Sequence, residues 1–132
     1  ELAPEHEQVP DLFEAYIRRC PPVSLPDFLG ALSDFDRLID YCPEYAEGYN
    51  QRAFVHYLRR DFTAALRDLN RALELSPQHV AALSGRALSL LGLSRLDEAR
   101  ATLQEALNLN PWLPERYLLD PGGPLADDAV EL

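Results

Sequence analysis

Apolar residues recur at helical spacing through most of the chain, and the interruptions fall at prolines, glycines and capping residues. This pattern predicts an all-α chain with six helices and a short seventh. In order, the predicted helices and their capping residues cover 11–19, 24–41, 46–58, 61–75, 80–92, 94–109 and 115–119. Asp61 is expected to cap the fourth helix, Ser94 and Asp97 to form a capping box on the sixth, and Gly92 to end the fifth.

Three prolines divide this pattern at one interval. Pro43, Pro77 and Pro111 are 34 residues apart, and a fixed period of roughly 20 to 50 residues indicates a stacked repeat array. A residue before proline avoids helical geometry, so each proline is expected to end the second helix of a unit. Other positions repeat in step: Phe28, Phe62 and Leu96; Ala31, Ala65 and Ala99; Phe35, Leu69 and Leu103; Arg52-Ala53 and Arg86-Ala87.

The repeated residues carry a resemblance to a known family. The first full period supplies Tyr49, Arg52-Ala53, His56, Ala65, Leu69, Ala72 and Pro77, and the second supplies Leu83, Arg86-Ala87, Leu90, Ala99, Leu103, Ala106 and Pro111. Over residues 44–111 this resembles the tetratricopeptide repeat. The resemblance implies a right-handed α-solenoid of helical hairpins, with small alanines where two helices approach closely.

The same resemblance divides the single domain, residues 1–132, into about 2.5 repeats. It implies a degenerate N-terminal repeat at 10–43, full repeats at 44–77 and 78–111, a short capping segment at 112–119 and a loose acidic tail at 120–132. Such arrays need a polar-faced cap on the last repeat, and only a short segment is available. Two coverings stay open: the tail folds back, with Tyr117, Leu118 and Leu119 over the sixth helix, or a second molecule packs there.

Two arginines lie in otherwise small and apolar stretches. A buried arginine needs a carboxylate, and Asp34 and Asp68 recur one period apart. We therefore expect Arg52 to pair with Asp34 or Asp68, and Arg86 to pair with Asp68, as structural bridges between repeats. A binding role for the two arginines is the alternative.

One face of the third predicted helix is suited to binding. Its residues are spaced three, four and three apart, so they share one side of the helix: Glu47, Asn50, Phe54 and Tyr57. The fifth predicted helix repeats this face with Ala81, Ser84, Leu88 and Leu91. In the family resembled, the first helices line a concave groove, so a peptide or protein segment is expected to bind here. Trp112 is expected at the groove edge or, alternatively, as a cap on the last repeat.

A different reading of this face is packing against the chain's own ends or a second copy. The chain would then be a self-associating structural module, a homodimer through its exposed terminal repeat. The two-carboxylate clamp that chaperone-tail binders of this family use is absent. The corresponding positions are Glu47, Gln51, Ala81, Gly85 and Glu115, so binding of chaperone C-termini is not expected.

Charge and chemistry exclude other functions. The formal charge is −10 with no basic stripe, which disfavours nucleic acid and anionic membranes. No apolar run is long enough to insert into a membrane. His6, His56 and His79 lie on separate segments, without a nucleophile motif or phosphate-binding loop, so no enzyme activity, catalytic residue, cofactor or metal is expected. His56 is expected to pack between helices.

Cys20 and Cys42 lack the spacing of a zinc site. They are either ordinary thiols or a disulfide joining the first helix to the end of the second. The words "YCPEYAEGYNQRAF", "LSPQHVAALSGRAL" and "LNPWLPE" resemble small alphaproteobacterial tetratricopeptide proteins, which are commonly exported. That resemblance implies a bacterial source and favours the periplasm, with the signal removed, over the cytoplasm.

Overall fold

A computed structural model describes residues 27–126. These residues form five α-helices followed by a 3-10 helix. The α-helices are α1 (Phe28–Tyr41), α2 (Ala46–Leu58), α3 (Phe62–Leu75), α4 (Val80–Gly92) and α5 (Leu96–Leu109), and the 3-10 helix covers Pro114–Leu119. The bounds of α2 and α4 agree with the predicted ones. The predicted helix over 11–19 lies outside the described residues.

The helices form a stack of antiparallel hairpins. Each helix packs against the next in the chain, and α2 also touches α4, the equivalent helix one repeat later. The short connections force neighbouring helices to be antiparallel. The hairpins stack because a single hairpin leaves one apolar face uncovered, and the next hairpin buries it. The prediction of an all-α solenoid is confirmed.

The period prolines end the second helix of each unit, as predicted. The residues before them, Cys42, Ser76 and Asn110, have nearly equal backbone angles, with φ of −141° to −143° and ψ of 77° to 95°. These angles are extended rather than helical, which is the conformation a following proline favours. The three turns are therefore one turn built three times. In the first, the Tyr49 hydroxyl donates to the Pro43 carbonyl at 2.8 Å.

Alanines fill the closest approaches between helices. Ala53, Ala65, Ala87 and Ala99 are each at most 1% exposed, so a larger side chain at any of them would separate packed helices. The apolar interior of the described residues forms two clusters. One surrounds Leu69 and is built from α1, α2, α3 and α4. The other surrounds Leu103 and is built from α3, α4, α5 and the residues that follow α5.

The predicted capping box on the sixth helix is wrong by one residue. Ser94 has φ of 61°, a left-handed conformation, and α5 begins after Arg95, whose side chain makes no capping bond. The equivalent residue one period earlier, Arg60, has φ of 63°. The turn inside each hairpin thus requires a left-handed residue at this position, which removes Ser94 from the extended conformation of an N-cap. Asp61 does cap α3, accepting from the Ala64 amide at 3.2 Å.

The tail predicted to be loose from residue 120 is packed as far as residue 126. Leu125 is fully buried, and its amide donates to the Leu118 carbonyl at 2.9 Å. Arg100 on α5 donates to the carbonyls of Leu125 and Ala126, both at 3.0 Å. Within residues 27–126 no further hairpin follows α5, and these few apolar residues pack there instead. Residues 127–132 lie outside the described range.

Of the two predicted ways to cover the last helix, the structure shows the chain's own C-terminal residues folding back onto it. The buried residues are Leu118 and Leu125. Leu118 is buried and Leu119 half-buried, whereas Tyr117 is exposed. The short predicted helix over 115–119 corresponds to the 3-10 helix.

Candidate functional site

An open groove runs between α1, α2 and α4 and encloses about 1050 Å³. Apolar side chains make up most of its wall. They come from all three helices: Phe28, Ala31 and Phe35 from α1, Phe54, Tyr57 and Leu58 from α2, and Ala81 and Leu88 from α4. Phe54 remains 39% exposed, so the groove presents an aromatic ring to solvent.

The structure brings six of the predicted groove residues together: Glu47, Asn50, Phe54, Tyr57, Ala81 and Leu88. It places the other three elsewhere. Ser84 is buried, and Leu91 packs against the second core cluster. Trp112 is 85% exposed and lies outside the groove wall, so it neither borders the groove nor covers the last repeat.

Sequence reasoning missed the α1 wall of the groove. Phe28, Ala31 and Phe35 are period positions, but the family resemblance assigns the groove to the first helices of the repeats and not to the second helix that contains these residues. The signal was the degenerate first repeat, whose second helix keeps the period's apolar residues. Within residues 27–126 no helix covers that face of α1, and all three side chains remain partly exposed.

Among residues 27–126, the charged residues of the groove wall are all acidic: Asp27, Asp34 and Glu47. Asp27 caps α1 by accepting from the Gly30 amide at 2.8 Å. Asp34 pairs with Arg37 at 2.6 Å, where both side chains are well exposed to solvent, so this pair contributes little stability. A negative potential therefore borders an apolar floor.

Glu47 is held in place by two neighbours. Its carboxylate accepts from Gln51 Nε2, and it lies 2.8 Å from His79 Nε2. The other ring nitrogen of His79 accepts from the Ala82 amide at 3.2 Å, so Nε2 carries the proton and donates to Glu47. Burial opposes ionisation of Glu47, but the hydrogen bonds from Gln51 and His79 outweigh it and hold the pKa of this carboxyl below its ordinary value. Glu47 is therefore a fixed negative charge.

Of the two carboxylates predicted as partners of Arg52, Asp34 and Asp68, the structure pairs Arg52 with Asp68. Arg52 Nε and Nη2 each donate to the buried carboxylate at 2.8 Å, and Nη1 donates to Asp36 at 2.9 Å. The Asp68 hydrogen bonds raise the pKa of Arg52 further above its ordinary value. Arg52 thus links α2 to both of its neighbours.

The predicted pair of Arg86 with Asp68 is wrong. Arg86 donates to Asn70 at 2.8 Å and to Thr102 at 2.6 Å. These residues are one period after Asp36 and Asp68 respectively, because the partners of each arginine lie 16 residues before and after it. The geometry repeats, while neutral acceptors replace the carboxylates.

His56 borders the Arg52 network. Its Nε2 lies 3.7 Å from Asp68, and its buried Nδ1 has no hydrogen-bond partner. Burial lowers the pKa of His56, against the attraction of Asp68 and Asp61. These contacts agree with packing between helices. Among residues 27–126 no group of three or more potential metal ligands occurs, and Cys42 is a half-buried free thiol.

Over the same range, every helix is too short or too polar to cross a bilayer.

Comparison with known proteins gave a family match and matches among solved structures. Residues 55–111 match the family model described as tetratricopeptide repeat. Among solved structures, the chain is similar to the first tetratricopeptide domain of Spaghetti (RPAP3) bound to the HSP90 peptide SRMEEVD, with 25% identity, a TM-score of 0.65, and coverage of 67% of this chain and 70% of that one. A search of curated proteins found no match. The repeat period, the stacked hairpins and these matches together support a tetratricopeptide-repeat protein.

Proposed function

We propose that this chain is a protein-interaction scaffold whose groove binds an apolar peptide segment bearing basic residues. The observation that carries the proposal is the groove wall itself, which in the described part of the chain combines partly exposed aromatic and aliphatic side chains with acidic residues and no basic ones. Rigid helices hold these side chains in place before binding, so the scaffold itself loses little conformational entropy when a peptide binds. An amphipathic helix laid into an apolar groove is a common recognition mode.

The solved relative supports the general function, because that protein is bound to a peptide. The chemistry of the ligand differs. The peptide SRMEEVD is rich in carboxylates, whereas Asp27, Asp34 and Glu47 would repel it here. The positions where a carboxylate clamp would lie are Gln51, Ala81 and Gly85, alongside Glu47, and none of them carries a positive charge.

Self-association through the terminal repeat has less support. The chain's own residues 114–126 cover part of α5, with Leu118 and Leu125 buried in the second core cluster. A homodimer through that end would have to pack on the remaining surface. The bacterial source and periplasmic location rest on the sequence resemblance alone and stay predictions.

Selection from a displayed library of random 12-residue peptides on the immobilised full chain tests the proposal. Enriched peptides are expected to combine apolar residues at helical spacing with Arg or Lys, and to lose binding to a Phe54→Glu variant. Trp112→Ala is the matched control, since Trp112 is a more exposed aromatic outside the groove. Synthetic SRMEEVD serves as the acidic comparison and is expected not to bind. Enrichment of acidic peptides, or binding that Trp112→Ala removes and Phe54→Glu does not, would overturn the proposal.

A further inference from the structure

We propose that Glu47 binds a basic side chain of the peptide ligand and Phe54 an apolar one, so that the ligand lies in one direction along α2. This inference rests on the proposed function and adds the specificity and the orientation of the same site. The residues concerned lie on α2 and α4, the first helices of the two full repeats.

The α2 side of the groove changes from polar to apolar along its length. Its wall residues, in chain order, are first Glu47, Asn50 and Gln51 and then Phe54, Tyr57 and Leu58. Phe54 follows Glu47 by seven positions, so the two are two helical turns, about 10 Å, apart along the axis. A ligand that makes both contacts is therefore held in one direction.

Glu47 differs from Asp34 in how its charge is balanced. Asp34 pairs with Arg37 at 2.6 Å, whereas Glu47 accepts from the amide of Gln51 and from the neutral ring of His79. These donors fix the carboxylate without cancelling its charge, and the first turn of a helix favours a negative charge. A carboxylate has about four acceptor positions, and the Glu47 side chain is 35% exposed. It can therefore accept further hydrogen bonds from a ligand.

The space beside Glu47 suits a long basic side chain. The equivalent position one period later, on the adjacent α4, is Ala81, which is exposed and also part of the wall. A methyl group occupies little space there and gives the stem of an arginine an apolar surface to lie on. The period equivalent of Phe54 is Leu88. The other end of the wall thus presents two apolar side chains, which gain stability when a ligand buries them.

The two ends of α2 also differ in charge. Around Pro43 and Pro77, the last turns of α1 and α3, the residues that connect them to the next helix and the first turns of α2 and α4 carry only acidic charges: Asp40, Glu44, Glu47 and Glu74. Around the start of α1 and the turn after α2, acids and arginines balance: Asp27 and Asp61 against Arg59 and Arg60. The basic part of a ligand is therefore attracted to the Glu47 end.

Double-mutant cycles measure the contact and the direction together. The probe is the most enriched displayed peptide that contains arginine, labelled with fluorescein and synthesised again with each arginine in turn replaced by neutral citrulline. At one arginine, citrulline is expected to weaken binding to the unmodified chain about three- to tenfold and to leave binding to Glu47→Gln unchanged. Phe54→Ala should weaken both peptides by the same factor, because Phe54 contacts a different residue of the ligand.

Two matched variants control for charge in general. Glu44→Gln removes the same charge from an exposed position outside the groove wall. Asp27→Asn removes a wall charge at the opposite end, and asparagine retains the helix cap. Both chains are expected to show the full effect of citrulline, and circular dichroism verifies that every variant is folded. An effect of citrulline that disappears in either control, or that persists in Glu47→Gln, overturns the inference.

Charge reversal adds a gain of binding to these losses. Glu47→Arg is expected to bind the peptide with glutamate at the identified position more tightly than the original peptide. A preference of Glu47→Arg for the original peptide overturns the contact.

The same variants separate this inference from the proposed function. Peptides that lose binding to Phe54→Glu but bind Glu47→Gln and the unmodified chain equally leave groove binding intact and overturn the role of Glu47. Enriched peptides that Phe54→Glu does not affect overturn the proposed function, and the inference with it.

Discussion

Arg52 on α2 makes a bidentate contact with the carboxylate of Asp68 on α3, with both N–O distances at 2.8 Å. Asp68 is 5% exposed, so a charge is buried in the hairpin and neutralised there. One period later the same geometry joins Arg86 to Thr102. The array therefore contains two copies of one helix-to-helix link, one charged and one with a neutral acceptor.

Replacing Asp68 by asparagine is expected to destabilise the fold by about 3 kcal/mol. Removing one member of a buried pair leaves an uncompensated charge, which costs about 3 to 5 kcal/mol, and Asp36 on α1 continues to neutralise part of Arg52. Urea unfolding followed by circular dichroism measures the change.

Asn70→Asp provides the opposite change in the second copy. Asn70 already accepts from Arg86 at 2.8 Å, and a carboxylate of the same shape adds a charge at an exposed position. We expect a gain of at most about 1 kcal/mol.

If Asp68→Asn were as harmless as a surface substitution, the buried pair would not be a stabilising link.

Ser94→Gly is expected to stabilise the protein. Ser94 has φ of 61°, and a left-handed conformation costs a residue with a Cβ about 1 to 2 kcal/mol. Glycine loses more backbone entropy than serine on folding, which offsets part of the relieved strain. The expected net gain in the free energy of unfolding is therefore about 0.5 to 1 kcal/mol. Ser33→Gly, on the exposed face of α1, is the matched control and is expected to lose stability. Thermal unfolding of the two variants compares them directly, and a loss at both positions would contradict the prediction.

Acidification below pH 6.5 is expected to lower stability through His56. Burial holds the pKa of His56 below its ordinary value of 6.5, so the unfolded chain takes up a proton first as the pH falls. Stability is then lost between pH 6.5 and the lower folded pKa. Glu47 acts in a separate window, since its folded pKa lies below its ordinary value of 4.5 and its contribution is lost only below that pH.

His56→Gln isolates this effect. Unfolding free energies at pH 7.5 and pH 5.5 should differ less for the variant than for the natural chain. Asp68, Asp61, Arg52 and Arg59 surround His56 and are present in both chains, so their contribution cancels in the comparison. An identical pH dependence in both chains would show that His56 is not the responsible group.

Helix ends and the repeat period could be predicted because their chemistry is local. Proline fixes the conformation of the residue before it, and Cys42, Ser76 and Asn110 show one backbone conformation as a result. The left-handed residue before α5 was missed because serine is a common N-cap. Its period partner Arg60, which is not a capping residue, was the available signal.

Contacts between helices were harder to predict. The need of a buried arginine for a carboxylate points to Asp68 for both Arg52 and Arg86, whereas the register of the packed helices selects residues 16 positions away. The groove was recovered on α2, where the spacing of Asn50 and Phe54 shows a shared face. Its α1 wall depends on how hairpins stack, which the spacing within one helix does not specify.

Truncating Leu125 is expected to destabilise the last repeat. Leu125 is fully buried and belongs to the cluster around Leu103, so Leu125→Ala should cost about 2 to 3 kcal/mol. Leu29→Ala removes the same atoms at a position that is 73% exposed and should change stability by less than about 0.5 kcal/mol. Equal effects in chemical unfolding would mean that residues 120–126 do not pack on α5 in solution.

Hydrogen exchange on the full chain, with and without the most enriched displayed peptide, tests the central claim most directly. Slower exchange is expected in α2 around Asn50 and Phe54 and in α4 between Ala81 and Leu88. Protection confined to the region around Trp112, or no protection of α2 and α4, would contradict the groove as the binding surface.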